Sequence, residues 1–140
     1  ESLAVFDLAQ TYLRMGRIDD AIIGFQRTVQ MDPAHYRART NLGVLYKNQG
    51  RLDEAIAELE QAVAITPNSV FALSNLGVSY SMKEQHEEAV QTLERAFELD
   101  PENVAVCANL AVAFQRMGDE DSARKYFEIA RRLDPRLGKK

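Results

Sequence analysis

Apolar and small residues recur along the chain at spacings of three and four, broken at regular intervals by a glycine or a proline. In the stretch 40–67, TNLGVLYKNQGRLDEAIAELEQAVAITP, Leu42, Gly43 and Tyr46 share one helical face, and Ala55, Leu59 and Ala62 share a second. Gly50 separates the two patterns and Pro67 ends them, which predicts a pair of helices joined by a tight turn. Gly43 and Ala55 are small enough to let the two backbones approach, while leucine and tyrosine fill the space around them.

The pattern is written four times. Pro33, Pro67, Pro101 and Pro135 recur every 34 residues, a constant period that signals an array in which each unit buries its apolar face on the next. When each repeat is numbered so that its proline is position 32, position 7 reads Leu8, Leu42, Leu76, Leu110, and position 8 reads Ala9, Gly43, Gly77, Ala111. Position 11 reads Tyr12, Tyr46, Tyr80, Phe114, position 20 is always alanine (Ala21, Ala55, Ala89, Ala123), and position 24 reads Phe25, Leu59, Leu93, Phe127.

Large residues at 7, 11 and 24, small ones at 8 and 20, and proline at 32 resemble the tetratricopeptide repeat family from Ser2 to Pro135. The resemblance implies an all-α fold, a right-handed superhelix of antiparallel helix pairs (an α-solenoid) with a concave groove. It also implies one domain over 1–140, with repeats 2–35, 36–69, 70–103 and 104–137 and a short basic tail at 136–140. The family's aromatic residue at position 4 is replaced by Val5, Arg39, Leu73 and Cys107. Asp19, Asp53 and Asp121 are expected to accept unpaired amide protons at the start of the second helices. Gly16, Gly50 and Gly118 occupy the turn, where glycine takes a positive φ without strain; Glu84 stands there in the third repeat, so that turn is expected to be strained and the least rigid.

The two ends read differently. Arg124 and Arg131 replace the Ile22, Ile56, Val90 and Val29, Val63, Phe97 of earlier repeats, so the array is expected to end near Pro135. Ala4, Leu8 and Thr11 resemble interior residues, which leads to the expectation of a preceding element and of weak self-association through the N-terminal repeat.

Composition narrows the function classes. A net charge of −4 argues against nucleic acid, and the strict period argues against a pentatricopeptide-like reader of RNA. No apolar run approaches the roughly 18 residues of a membrane span, so no membrane insertion is expected. Cys107 is the only cysteine and falls on a packing position; nothing requires an oxidising compartment, which leans toward the cytoplasm. His35 and His86 make no ligand cluster with it, and no glycine-rich phosphate loop is present, so neither metal nor cofactor is expected. The acidic pairs Asp19-Asp20, Asp53-Glu54 and Glu87-Glu88 read as solvated helix starts, and the chain as non-enzymatic.

By resemblance, the working surface is the groove, lined by first-helix positions 2, 5, 6, 9, 12 and 13. Here these include Phe6, Gln10 and Arg14, then Arg37, Asn41, Val44 and Lys47. The later repeats supply Phe71, Asn75, Val78, Ser81 and Met82, then Asn109, Val112 and Arg116. Asn41, Asn75 and Asn109 all fall at position 6, a ladder of amides like that of O-linked N-acetylglucosamine transferases, able to pair with the backbone of an extended peptide. Four cations against Asp7 favour an acidic segment, and Phe6, Phe71 and the valines favour an amphipathic one. The family's carboxylate clamp for heat-shock-protein tails finds only Asn41 matching among Phe6, Gln10, Asn41, Phe71 and Asn75, so that ligand is not expected. The resulting expectation is a protein- or peptide-binding scaffold or adaptor. Its rivals are a self-assembling structural protein stacked head to tail, and the substrate-recruiting array of a larger enzyme such as a glycosyltransferase.

Overall fold

A computed structural model describes residues 1–137, and among them it contains eight α-helices and no strand. They are α1 (Ser2–Arg14), α2 (Ile18–Met31), α3 (Tyr36–Asn48), α4 (Leu52–Ile65), α5 (Val70–Met82), α6 (His86–Leu99), α7 (Val104–Met117) and α8 (Glu120–Leu133). The chain divides into two compact units, Glu1–Pro67 with α1 to α4 and Asn68–Lys140 with α5 to α8.

In each pair the turn is made by one motif. The residue after the turn donates its backbone N–H to the aromatic of position 11: Arg17 to Tyr12 O at 2.9 Å, Arg51 to Tyr46 O at 2.8 Å, Gln85 to Tyr80 O at 2.9 Å and Asp119 to Phe114 O at 3.0 Å. Closing this bond needs a left-handed residue in the turn. Gly16, Gly50 and Gly118 supply it at φ of 78°, 77° and 86°, and Glu84 adopts it as well, at 65°. Glu84 is the only non-glycine residue at positive φ among those described.

The long sides of each pair meet where the small residues stand. A Cβ on Gly43 would collide with Leu59 Cγ, and one on Gly77 would stand 2.5 Å from Leu93 Cγ. The first repeat reverses the arrangement. Ala9 carries a Cβ at this position, and Gly24 on α2 makes room for it, since a Cβ there would stand 2.6 Å from that of Ala9. Around these crossings the first unit buries Phe6, Phe25, Leu42 and Leu59, and the second buries Leu73, Leu93, Val106 and Leu110.

Two sequence expectations are corrected. The N-caps of α2, α4 and α6 are Arg17, Arg51 and Gln85, none of which makes a side-chain cap bond; in α8 the cap is Asp119, which accepts from Ser122 N, rather than Asp121. Asp19, Asp53 and Asp121 lie one residue inside the helix, where their charge still suits the helix dipole. Phe127 does not join the core with its counterparts: it is 41% exposed, and Tyr126 is buried instead, its ring centroid 5.6 Å from that of Phe114. Of the tail, Arg136 pairs with Asp134 at 3.0 Å, and residues 138–140 lie outside the described residues.

The missing aromatic at position 4 is accommodated in two ways in the later three repeats. Leu73 and Cys107 are simply buried; the Cys107 thiol lies 3.7 Å from Pro101 O, and burial pushes its pKa up. Arg39 lies between helices: it donates to Pro33 O at 2.7 Å and pairs with Glu58 of α4 at 2.8 Å, with only 15% and 18% of the two side chains exposed.

Candidate functional site

In the first unit, α1 and α3 bring Gln10 and Asn41 together, the Asn41 amide donating to Gln10 Oε1 at 3.5 Å. Val44 and Lys47 follow on α3, both half-buried, and burial lowers the pKa of the Lys47 ammonium. Arg14 is exposed.

Phe6 departs from the expected role of a groove floor. It is only 1% exposed, packed 4.6 Å from the His35 ring and 5.6 Å from that of Phe25. What it presents outward is a cation: the Arg37 guanidinium lies over its ring at 4.9 Å. Phe71, by contrast, is 60% exposed.

In the second unit, the Asn75 amide donates to Phe71 O at 2.9 Å, while half-buried Asn109 makes no hydrogen bond among the described residues. Asn109 lines a cavity of about 90 Å³ with Val78, Ser81, Met82, Leu93, Val112 and Arg116. Arg116 reaches across to this cavity, its Nη1 donating to Ser81 O at 3.4 Å. The Ser81 hydroxyl is buried without a partner. Leu93 belongs to a second helix and was outside the first-helix positions used to trace the groove; only packing puts it in this wall. A larger opening, about 310 Å³, lies between α7 and α8 and is lined by Ala111, Val112, Gln115, Ala123 and Phe127 among others.

The arginines differ in whether a carboxylate holds them: Arg39 on α3 is paired with Glu58, and Arg27 and Arg132 on second helices form no ion pair among the described residues. Arg17, Arg51, Arg124 and Arg131, at turns and on second helices, each pair with a carboxylate three residues away. Arg14, Arg37 and Arg116, on first helices, form no ion pair among the described residues. Of the acidic pairs at the helix starts, Asp20 is held by Arg17 at 2.8 Å and Glu54 by Arg51 at 2.6 Å. No helix of the described residues is long and apolar enough to cross a membrane, and none of their acidic, histidine or cysteine side chains form a group of metal-ligating geometry.

Three family models, each described as tetratricopeptide repeat, match residues 6–70, 58–91 and 82–136. A search of curated protein sequences gave no match. Among solved structures, a crystal structure of MamA is similar at a TM-score of 0.90 and 24% identity, covering 97% of this chain and 80% of that one. MamA 41-end from Desulfovibrio magneticus RS-1 matches at 0.90 and 22%, covering 99% and 78%. The first tetratricopeptide domain of Spaghetti, bound to the HSP90 peptide SRMEEVD, matches at 0.81 and 24%, covering 84% and 94%. These likenesses show an all-α fold of the tetratricopeptide solenoid class. With repeat models matching from residue 6 to residue 136, the chain belongs to the tetratricopeptide repeat family.

Proposed function

We propose that this member of a family of protein-interaction scaffolds is a non-enzymatic adaptor that holds an extended, acidic or amphipathic peptide along its first-helix faces. The observation that carries the reading is the state of three cations at the expected groove positions: Arg14, Arg37 and Arg116 have no carboxylate partner among the described residues, whereas Arg39, one packing position away on α3, is paired with Glu58. Cations held without counter-charge on a chain of net charge −4 favour an anionic ligand at that face. Asn41, Asn75 and Asn109 add amides that can pair with a peptide backbone, although Asn41 and Asn75 must release Gln10 and Phe71 O to do so. The four repeats act in this reading as one domain, 2–35, 36–69, 70–103 and 104–137.

The peptide held by the Spaghetti domain, SRMEEVD, is also acidic. The residues of the heat-shock clamp are nevertheless not reproduced here, because Phe6 and Phe71 stand where it needs lysines. Leu3 and Leu8, 61% and 53% exposed, support weak self-association through the first repeat.

The test is selection from a peptide library with the 140-residue chain, followed by calorimetry on the selected segment. Replacing Asn41, Asn75 and Asn109 with alanine should weaken binding at an unchanged melting temperature. Replacing Arg37, Lys47 and Arg116 with glutamate should weaken it further and flatten its salt dependence. Unchanged affinity in both variants places the binding site elsewhere.

A further inference from the structure

Three groups around the small cavity between α5, α6 and α7 lack the partners that such groups normally have. Arg116 forms no ion pair and is tethered only through one long bond to Ser81 O. Ser81 is 8% exposed and its hydroxyl has no hydrogen-bond partner, which is uncommon for a buried polar atom. Asn109 leaves its amide uncommitted. Neighbouring Ser79 shows the ordinary alternative, since its hydroxyl donates back to Asn75 O at 2.8 Å.

We propose that this cavity is an anchor site for a carboxylate of the bound peptide, with Arg116 and Ser81 as its principal polar contacts. The inference rests on the reading of the first-helix face as a peptide-binding surface and names the group that surface selects. A guanidinium offers a planar fork of donors that matches a carboxylate, and the Ser81 hydroxyl adds a donor whose hydrogen is not otherwise used. Asn109, two turns before Arg116 on α7, can add a further donor.

The remaining walls, Val78, Leu93 and Val112, are apolar and suit a methylene stem. A single water occupies roughly 10–15 Å³ of such space. The cavity's 90 Å³ therefore accommodates the five heavy atoms of a glutamate side chain. A purely aliphatic residue would cover Arg116 without compensating its charge, which is costly. A phosphoryl group would set roughly two negative charges against one guanidinium. A carboxylate balances the site, whether it comes from an acidic side chain or from a chain terminus.

The experiment is an NMR titration of the isotope-labelled chain with four acetylated alanine pentapeptides. One carries glutamate at its centre, one glutamine and one phosphoserine, each with an amidated end; the fourth is all alanine with a free α-carboxylate. The glutamate peptide should shift the Ser81, Asn109 and Arg116 signals and bind at least about tenfold more tightly than the glutamine peptide. Arg116→Gln should erase that preference, and Ser81→Ala should reduce it several-fold with the spectrum otherwise unchanged. Comparison with the α-carboxylate peptide tells which source of carboxylate is preferred; stronger binding of either supports the site. If neither the glutamate nor the α-carboxylate peptide binds more tightly than the glutamine peptide, the proposal is overturned, as it is by a preference for phosphoserine. If the glutamate peptide shifts only Asn41, Val44 and Asn75, the anchor fails while the peptide-binding face stands. If no first-helix residue shifts with any probe, both fail.

Discussion

Gly77 on α5 packs directly on Leu93 of α6, so closely that a single added methyl would lie 2.5 Å from Leu93 Cγ. The obstacle is the branch point of the leucine and not its flexible end, so it cannot be relieved by a small rotation.

Gly77→Ala is therefore a contest between two terms. Alanine gains about 1 kcal/mol of helix propensity over glycine, whereas overpacking a filled crossing costs about 1–3 kcal/mol. The crossing should win, giving net destabilisation of up to about 2 kcal/mol in urea unfolding. Gly77→Leu should cost more. Ala64→Leu, on an exposed part of α4, should change stability by less than about 0.5 kcal/mol. A Gly77→Ala protein more stable than the parent refutes this account of the crossing.

Arg39 and Glu58 join α3 to α4 where the family carries a large residue. Removing one partner leaves the other half-buried and uncompensated, so Glu58→Ala should cost about 1–3 kcal/mol. Replacing both, Arg39→Met with Glu58→Leu, should restore most of the loss, because an apolar pair does not need desolvated charges to be matched. Chemical denaturation of Arg39→Met alone, Glu58→Leu alone and the double variant measures this coupling; strictly additive losses would show that the pair contributes nothing as a pair.

The first helices are capped from position 34 of the preceding repeat. His35 Nδ1 accepts from Ala38 N at 3.2 Å, Ser69 Oγ from Ala72 N at 3.2 Å, and Asn103 Oδ1 from Val106 N at 3.1 Å. Ser69→Ala and Asn103→Ala should each cost about 1 kcal/mol. Gln85→Ala, at an N-cap whose side chain makes no cap bond, should be near neutral. Equal losses at all three positions would rule out capping as the cause.

These caps mark the boundary of what the sequence made legible. Helix pairing, the left-handed turn at Glu84 and the small-residue crossings follow from the period of 34 residues and from residue size, because such features act locally. Ser69 and Asn103, polar residues one step outside an apolar pattern, are readable N-cap signals of α5 and α7. The burial of Phe6 was not readable in the same way. Its position in the repeat points toward the groove, but contact with Phe25 and the cap residue His35 draws its ring into the first unit. Likewise Gly24 could be understood only once Ala9 was seen to occupy the usual glycine position.

Asp119 accepts from the Ser122 amide at 3.1 Å and from its hydroxyl at 2.8 Å, and these bonds hold its pKa below the usual carboxylate range. A depressed pKa means stabilisation that is complete above the unfolded-state value, near 3.9, and is lost as pH falls through the folded one. The start of α8 should thus fray first in acid, seen as faster exchange of the Ser122 amide. Asp119→Asn keeps an acceptor but cannot titrate in this range, so it should remove the pH dependence while leaving the cap. An Asn variant that frays over the same acid range as the parent would assign the effect to another group.

Glu84 and Gly50 occupy equivalent turns with nearly the same backbone: φ is 65° at one and 77° at the other. The bonds also correspond, with Gln85 N donating to Tyr80 O at 2.9 Å and Arg51 N to Tyr46 O at 2.8 Å. The third repeat therefore keeps the turn and bears its strain, about 1–2 kcal/mol for a residue with a Cβ in the left-handed region. Space is not the issue, since a Cβ on Gly50 would meet no atom within 4 Å. Substitutions in the two directions should accordingly have opposite signs. Glu84→Gly should stabilise the protein by about 1 kcal/mol, even after the greater backbone freedom that glycine adds to the unfolded chain, and Gly50→Ala should destabilise it by about the same amount. Paired thermal melts, with amide exchange at Gln85 as a local readout, decide the matter. A Glu84→Gly protein that melts no higher than the parent would mean that side-chain contacts of Glu84 offset the backbone strain.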